Sequence, residues 1–189
     1  MKKNISWFTL MEFLVASTIV VLLTLMTYVP YSHYQNKAKI KIASREISQS
    51  FYESKNMATW WITSNNTNKS VWLYITTDLL TSNTIKFLSY PYDIEEININ
   101  NNVSGSTELI KDKKLQDWVS IVDLWPYNNL LFFYESITWE SKVYTFDSGT
   151  KTQVTDDILD ITISYRNSSS DSLKSKLNYY TKTNIIDYK

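Results

Sequence analysis

A single acid, Glu12, stands inside an apolar run from Phe8 to Val29 that carries no other charge. A carboxylate in such surroundings costs on the order of a few kcal/mol, and a group of this kind needs a counter-ion. Cleavage between Trp7 and Phe8 would create one. The new N-terminus puts a positive charge on Phe8, one helical turn from Glu12 and on the same face. That amine can pair with Glu12 of its own chain or with Glu12 of a second copy packed alongside. Without the cut, Glu12 has no obvious counter-charge nearby in the sequence.

Other chemistry is poorly provided for. The single histidine, His33, follows the apolar run and has no partner at metal-ligand or catalytic spacing; placement at the surface or membrane interface is the expectation. Asp156, Asp157 and Asp160, or Asp93, Glu95 and Glu96, offer oxygen atoms to calcium, but neither group has a calcium-loop signature and both read as solvated loop carboxylates. There is no glycine-rich phosphate loop, no HExxH and no G-x-S-x-G. No metal, cofactor or enzymatic activity is therefore expected. Cysteine is absent, which removes disulfides and thiolate zinc sites. Nineteen Lys and Arg balance 19 Asp and Glu, so charge alone gives nucleic acid no hold. The 14 tyrosines, with Tyr179 and Tyr180 beside Lys182, are read as sheet-filling aromatics before a stacking platform.

The elements that must position Glu12 begin with the run itself. At about 22 residues it is long enough to cross a hydrocarbon core of roughly 30 Å as a helix. It is too long for the apolar part of a secretory signal, and Val29-Pro30-Tyr31-Ser32 is a poor cleavage site. Tyr28, Tyr31 and Tyr34 suit an interfacial aromatic belt, while Lys2 and Lys3 on one side and Lys37, Lys39 and Lys41 on the other leave orientation open. Beyond Pro30, Tyr34, Ala38, Ile40, Ala43, Ile47 and Phe51 make an apolar stripe at helical spacing. Pro30 is expected to kink the helix rather than end it. One helix from Phe8 to about Lys55 would run roughly 70 Å.

A loop is expected over 57–70, then strands at 71–76, 85–90, 118–124, 130–136, 142–147 and 158–166. Ile161, Ile163 and Tyr165 share one strand face. Asn128-Asn129 and Ser148-Gly149 read as hairpin turns. Residues 77–80 suggest a short helix or turn, and 94–103 stay unassigned. Leu173–Tyr180 reads as strand or helix, and 185–188 as an edge strand.

Met1-Lys2-Lys3-Asn4-Ile5-Ser6-Trp7 followed by Phe8-Thr9-Leu10-Met11-Glu12-Phe13-Leu14-Val15-Ala16 resembles the processing signal of type IV pilins and type II secretion pseudopilins, the minor subunits above all. The resemblance covers roughly the first 50 residues. It implies a leader at 1–7, a transmembrane and assembly helix at 8–29, an amphipathic extension at 30–56 and an extracytoplasmic β-rich domain at 57–189. The implied fold is α+β, with the long helix packed on an antiparallel sheet. It also implies cleavage by a prepilin peptidase between Trp7 and Phe8, N-methylation of Phe8, and Glu12 as the counter-charge for assembly. The implied partners are other pilin or pseudopilin subunits, an inner-membrane assembly platform and the lipid bilayer. The implied location is the cytoplasmic (inner) membrane, single-pass, then the periplasm or cell surface after assembly. A solitary single-span anchor carrying an extracytoplasmic binding or adhesion domain is the alternative; it needs neither cut nor polymer.

Trp7 departs from that family, in which glycine precedes the cut. Composition bears on it: the chain has 2 Gly and 7 Trp, whereas about 7% Gly is usual. Richness in Asn, Lys, Ile and Tyr suggests an AT-rich gene, and some bacterial lineages read UGA as glycine where other codes read tryptophan. The expectation is that Trp7, with several of Trp60, Trp61, Trp72, Trp118, Trp125 and Trp139, stands for glycine. Trp125 before Pro126 and the Trp60-Trp61 pair, in an expected loop, are the further cases picked out. The alternative is a tryptophan-rich domain with an atypical leader.

Overall fold

A glycine-free sequence from Leu10 onward, apolar first and then apolar on one stripe, forms one α-helix, α1 (Leu10–Trp60), which runs through Pro30. In the computed structural model the described residues are 9–60, 69–78, 81–91, 108–134, 141–147 and 150–188. The fold is α+β, one long N-terminal helix followed by antiparallel sheets. The chain divides into two compact units, Met1–Ala38 and Lys39–Lys189.

The strands are β1 (Lys69–Thr76), β2 (Thr84–Pro91), β3 (Glu108–Lys114), β4 (Val119–Asp123), β5 (Asn129–Tyr134), β6 (Ser141–Asp147), β7 (Thr150–Gln153), β8 (Ile158–Tyr165), β9 (Lys174–Tyr180) and β10 (Ile185–Tyr188). A 3-10 turn, Asp171–Leu173, leads into β9. They build two sheets, not the single one expected. The larger has the order β3-β2-β1-β5-β6-β7 and the smaller β10-β9-β8-β4.

The second unit is built on period-2 alternation. Val71, Leu73 and Ile75 of β1, Leu130 and Phe132 of β5, and Leu159, Ile161, Ile163 and Tyr165 of β8 join one core. Ile40, Ala43, Ile47, Phe51 and Ala58 of α1 complete it. Phe51 is the meeting point of helix and both sheets. Its ring lies 4.6 Å from that of Phe132 in β5 and 5.1 Å from that of Tyr179 in β9, and those two rings are 4.8 Å apart. Fully burying side chains of this size stabilises by roughly 1.5–3 kcal/mol each.

Between the apolar positions, α1 buries three serines, Ser44, Ser50 and Ser54. Small side chains let the helix approach the sheets. Each hydroxyl donates to a carbonyl of its own helix: Ser44 to Ile40 at 3.0 Å, Ser50 to Glu46 at 2.7 Å and Ser54 to Phe51 at 2.9 Å. None is therefore left without an acceptor. Ser44 Oγ also lies 3.0 Å from Ser175 Oγ in β9. Tyr34, placed on the stripe by spacing, is exposed instead.

Several boundaries differ from the sequence reading. The helix continues to Trp60, so the expected loop at 57 begins too early and Trp60 closes a helix. Asn128-Asn129 is not a hairpin turn, because Asn129 opens β5 and β4 belongs to the other sheet. Around the 148–149 turn, β6 and β7 do pair, with Asp147 opposite Thr150. β9 is strand rather than helix, and β10 forms the edge of the smaller sheet. The segment 94–103 lies outside the described residues.

Candidate functional site

The site expected from sequence is the start of α1. Thr9 precedes the helix and Glu12 sits in its first turn. The Glu12 Oε2 atom accepts from the Thr9 backbone N–H at 3.0 Å and from the Thr9 hydroxyl at 3.0 Å, and the Glu12 N–H donates to Thr9 Oγ1 at 3.3 Å. This is a reciprocal capping box, in which each side chain satisfies a backbone donor that the helix end leaves free. The carboxylate also complements the positive end of the helix dipole. Glu12 thus has a partner within its own chain that the counter-charge reading did not consider. Its T-x-x-E spacing was the available signal. Trp7 and Phe8 lie outside the described residues.

Around Glu12 the helix surface is apolar. Met11, Val15, Ala16 and Ile19 line a shallow groove with Glu12, about 380 Å³ in volume. From Leu10 to Met26 the large apolar side chains are exposed on every side of the helix. The helix is long and apolar enough to cross a membrane. Its polar side chains suit that solvent. Ser17 and Thr18 both donate to the Leu14 carbonyl, at 2.9 and 2.8 Å, Thr24 donates to Val20 at 2.7 Å, and Thr27 to Leu23 at 3.0 Å. No hydroxyl of this group needs water, which the hydrocarbon region cannot supply.

The other candidate residues are dispersed. His33 is exposed on α1. Asp156 accepts from the Tyr127 hydroxyl at 2.7 Å, Asp157 pairs with Lys182 at 2.8 Å, and Asp160 pairs with Lys176. Each acid of that trio is engaged separately, and among the described residues no group of His, Asp and Glu side chains is arranged to hold a metal ion. Asp93, Glu95 and Glu96 lie outside the described residues. Tyr179 is buried in the core and therefore offers no stacking face.

Position makes two tyrosines unusually weak acids. Burial pushes the Tyr134 hydroxyl well above its ordinary value, with Tyr179 beside it adding to the effect. Tyr127 is pushed up to about 12, first by desolvation and then by donating to the Asp156 carboxylate.

The outer face of the larger sheet holds a smaller apolar cluster. Trp72, Leu88 and Leu131 are buried there beside Tyr74, Phe133, Tyr144 and Phe146. Lys151 crosses it, 4.1 Å from the Tyr144 ring centroid and 5.4 Å from that of Trp72. Burial, with Lys142 nearby, lowers the Lys151 ammonium from its usual range.

The tryptophans separate sharply by environment. Trp72 is 5% exposed, whereas Trp118 is 63% and Trp125 72% exposed. Trp125 precedes Pro126 in a tight turn closed by the Tyr127 N–H to the Leu124 carbonyl at 2.8 Å. Trp7, Trp61 and Trp139 lie outside the described residues.

The chain matches no protein family, no characterised protein and no solved structure at a significant level.

Proposed function

We propose that the protein is a structural, non-enzymatic subunit of a type IV pilus-like or type II secretion pseudopilus filament, with a pilin-like arrangement of helix and β-rich domain. In this reading the chain waits in the inner membrane through residues 8–29 and loses its leader to a prepilin peptidase. It then joins other subunits through the N-terminal helix, with the Phe8 amine paired to Glu12. The assembly platform would draw such subunits from the bilayer.

The observation that carries the reading is the division of one continuous helix. Its first part is apolar all round with a lone acid in the first turn, and its later part is amphipathic and sunk into a β-sheet core. Association within lipid gains little from hydrophobicity, so close packing and polar pairing must supply specificity. The shallow groove lined by Met11, Val15, Ala16 and Ile19 sets an apolar surface beside the Glu12 carboxylate, which supports this reading.

Glu12→Ala tests it. Membrane insertion should persist while filament yield falls strongly; unchanged yield counts against the proposal.

The second reading is a single-span anchored binding or adhesion protein that does not polymerise. The Thr9–Glu12 capping box favours it, because the acid then has a purpose inside one chain.

A further inference from the structure

The chain leaves the charged edge strand β3 and enters β4, the edge of the other sheet, through one tight turn, Gln116-Asp117-Trp118-Val119. The Val119 N–H donates to the Gln116 carbonyl at 3.0 Å, which closes the turn. Trp118, its third residue, has φ 67°, while Asp117 before it has no positive φ. A positive φ at the third position alone is the pattern of a type II turn, which favours glycine there because a Cβ crowds the backbone. For a bulky residue that conformation is an outlier.

The backbone at this point has little freedom to relax. The Trp118 carbonyl accepts the Arg166 N–H at 2.7 Å, Val119 pairs with Tyr165, and Ile121 N–H reaches the Ser82 carbonyl at 2.8 Å. The indole offers little in return. It is largely in solvent, with the Arg166 guanidinium 4.6 Å from its ring. Elsewhere positive φ falls on Asn167 and Asn184, a residue type that tolerates it, and on Arg166. Trp72 has the opposite character, since its ring packs 4.5 Å from that of Phe133. With glycine after Asp117, the segment would carry an ordinary Asp-Gly turn dipeptide.

We propose that the natural residue at position 118 is glycine, read from a UGA codon, and that the same decoding places glycine at position 7, completing the processing site before Phe8. The first half stands on the turn geometry and on 2 Gly against 7 Trp. The second half rests on the filament reading.

Two measurements on the natural protein and its gene test this. The codon at 118 should be UGA, and the peptide spanning 115–142 from the native source should be lighter by an indole side chain exchanged for hydrogen at that position. A UGG codon, or a peptide with tryptophan mass at 118, overturns the proposal. A third measurement uses the full tryptophan-bearing chain in detergent. Trp118→Gly should raise the urea midpoint by roughly half a molar, and more than Trp118→Ala, which keeps its Cβ; equal midpoints for the two variants contradict the turn assignment. Glycine at 118 with UGG at 7 removes the second half alone. Glycine at both positions with the leader still attached removes the filament reading and leaves this inference intact.

Discussion

Thr9 and Glu12 hold each other across the first turn of α1: the Thr9 N–H and hydroxyl both reach Glu12 Oε2, and the Glu12 N–H reaches Thr9 Oγ1. The acid therefore has two separable properties, its hydrogen bonds and its charge. Glu12→Gln keeps an acceptor for Thr9 and loses the charge. The filament account expects Glu12→Gln to lower filament yield nearly as far as Glu12→Ala. Thr9→Ala should cost about 1 kcal/mol of helix-end stability and leave assembly largely intact. Quantifying sheared filaments against membrane-inserted subunit for the three variants checks this; near-normal yield for Glu12→Gln contradicts it.

Phe51 joins α1 to both sheets, so its removal should loosen the whole second unit. Phe51→Ala is expected to cost about 3–5 kcal/mol through lost burial and the cavity left between Phe132 and Tyr179. Urea unfolding of the detergent-solubilised protein reads it. A loss below about 1 kcal/mol would mean that the two aromatic partners close the gap.

The ion pair between Glu53 of α1 and Lys111 of β3, at 2.7 Å, links the same helix to the sheet edge, yet both side chains are a third or more exposed or close to it. Exposed pairs contribute about 0–1 kcal/mol. Lys111→Ala should shift the urea midpoint far less than Phe51→Ala, with an effect that shrinks further in high salt.

Much of this framework was legible from periodicity. The apolar alternation of β1, β5 and β8 and the spacing of Ile40, Ala43, Ile47 and Phe51 locate the core directly. The two strands that escaped, β3 and β7, are the edges of the larger sheet. Edge strands avoid further pairing by carrying charge, and Lys111, Lys113, Lys114 and Lys151 do so here at the expense of the apolar pattern. The buried serines escaped because hydrophobicity is the usual mark of a buried face, whereas theirs is small size with a helical carbonyl to bond. The second sheet could not be seen in strand patterns at all, since partner choice lies in contacts far apart in sequence. Of the site, Glu12 was plain as a lone charge. Its bond to Thr9 is written in the T-x-x-E spacing, a capping signature that an apolar run with a lone charge masks.

Stability should fall at alkaline pH because four tyrosines must stay neutral in the fold. Tyr74, Tyr127, Tyr134 and Tyr179 are all raised above the value of about 10 expected of an unfolded tyrosine. A raised folded value means the unfolded chain loses its proton first. The stabilisation is complete below about pH 10 and is lost as pH rises through the folded values. For Tyr127 that window runs up to about 12. Tyr127→Phe should therefore lose stability less steeply than the parent between about pH 10 and 12. Parallel curves from urea unfolding across that range would contradict the assignment.

Everything proposed for the helix depends on a fresh amine at Phe8 meeting the lone acid of an apolar helix. Intact-mass and N-terminal peptide analysis of the protein taken from its native envelope is the most direct measurement. The account predicts a chain beginning at an N-methylated Phe8, recovered with filaments. A functional, monomeric chain that still begins at Met1 or Lys2 and keeps residues up to Trp7 would contradict it.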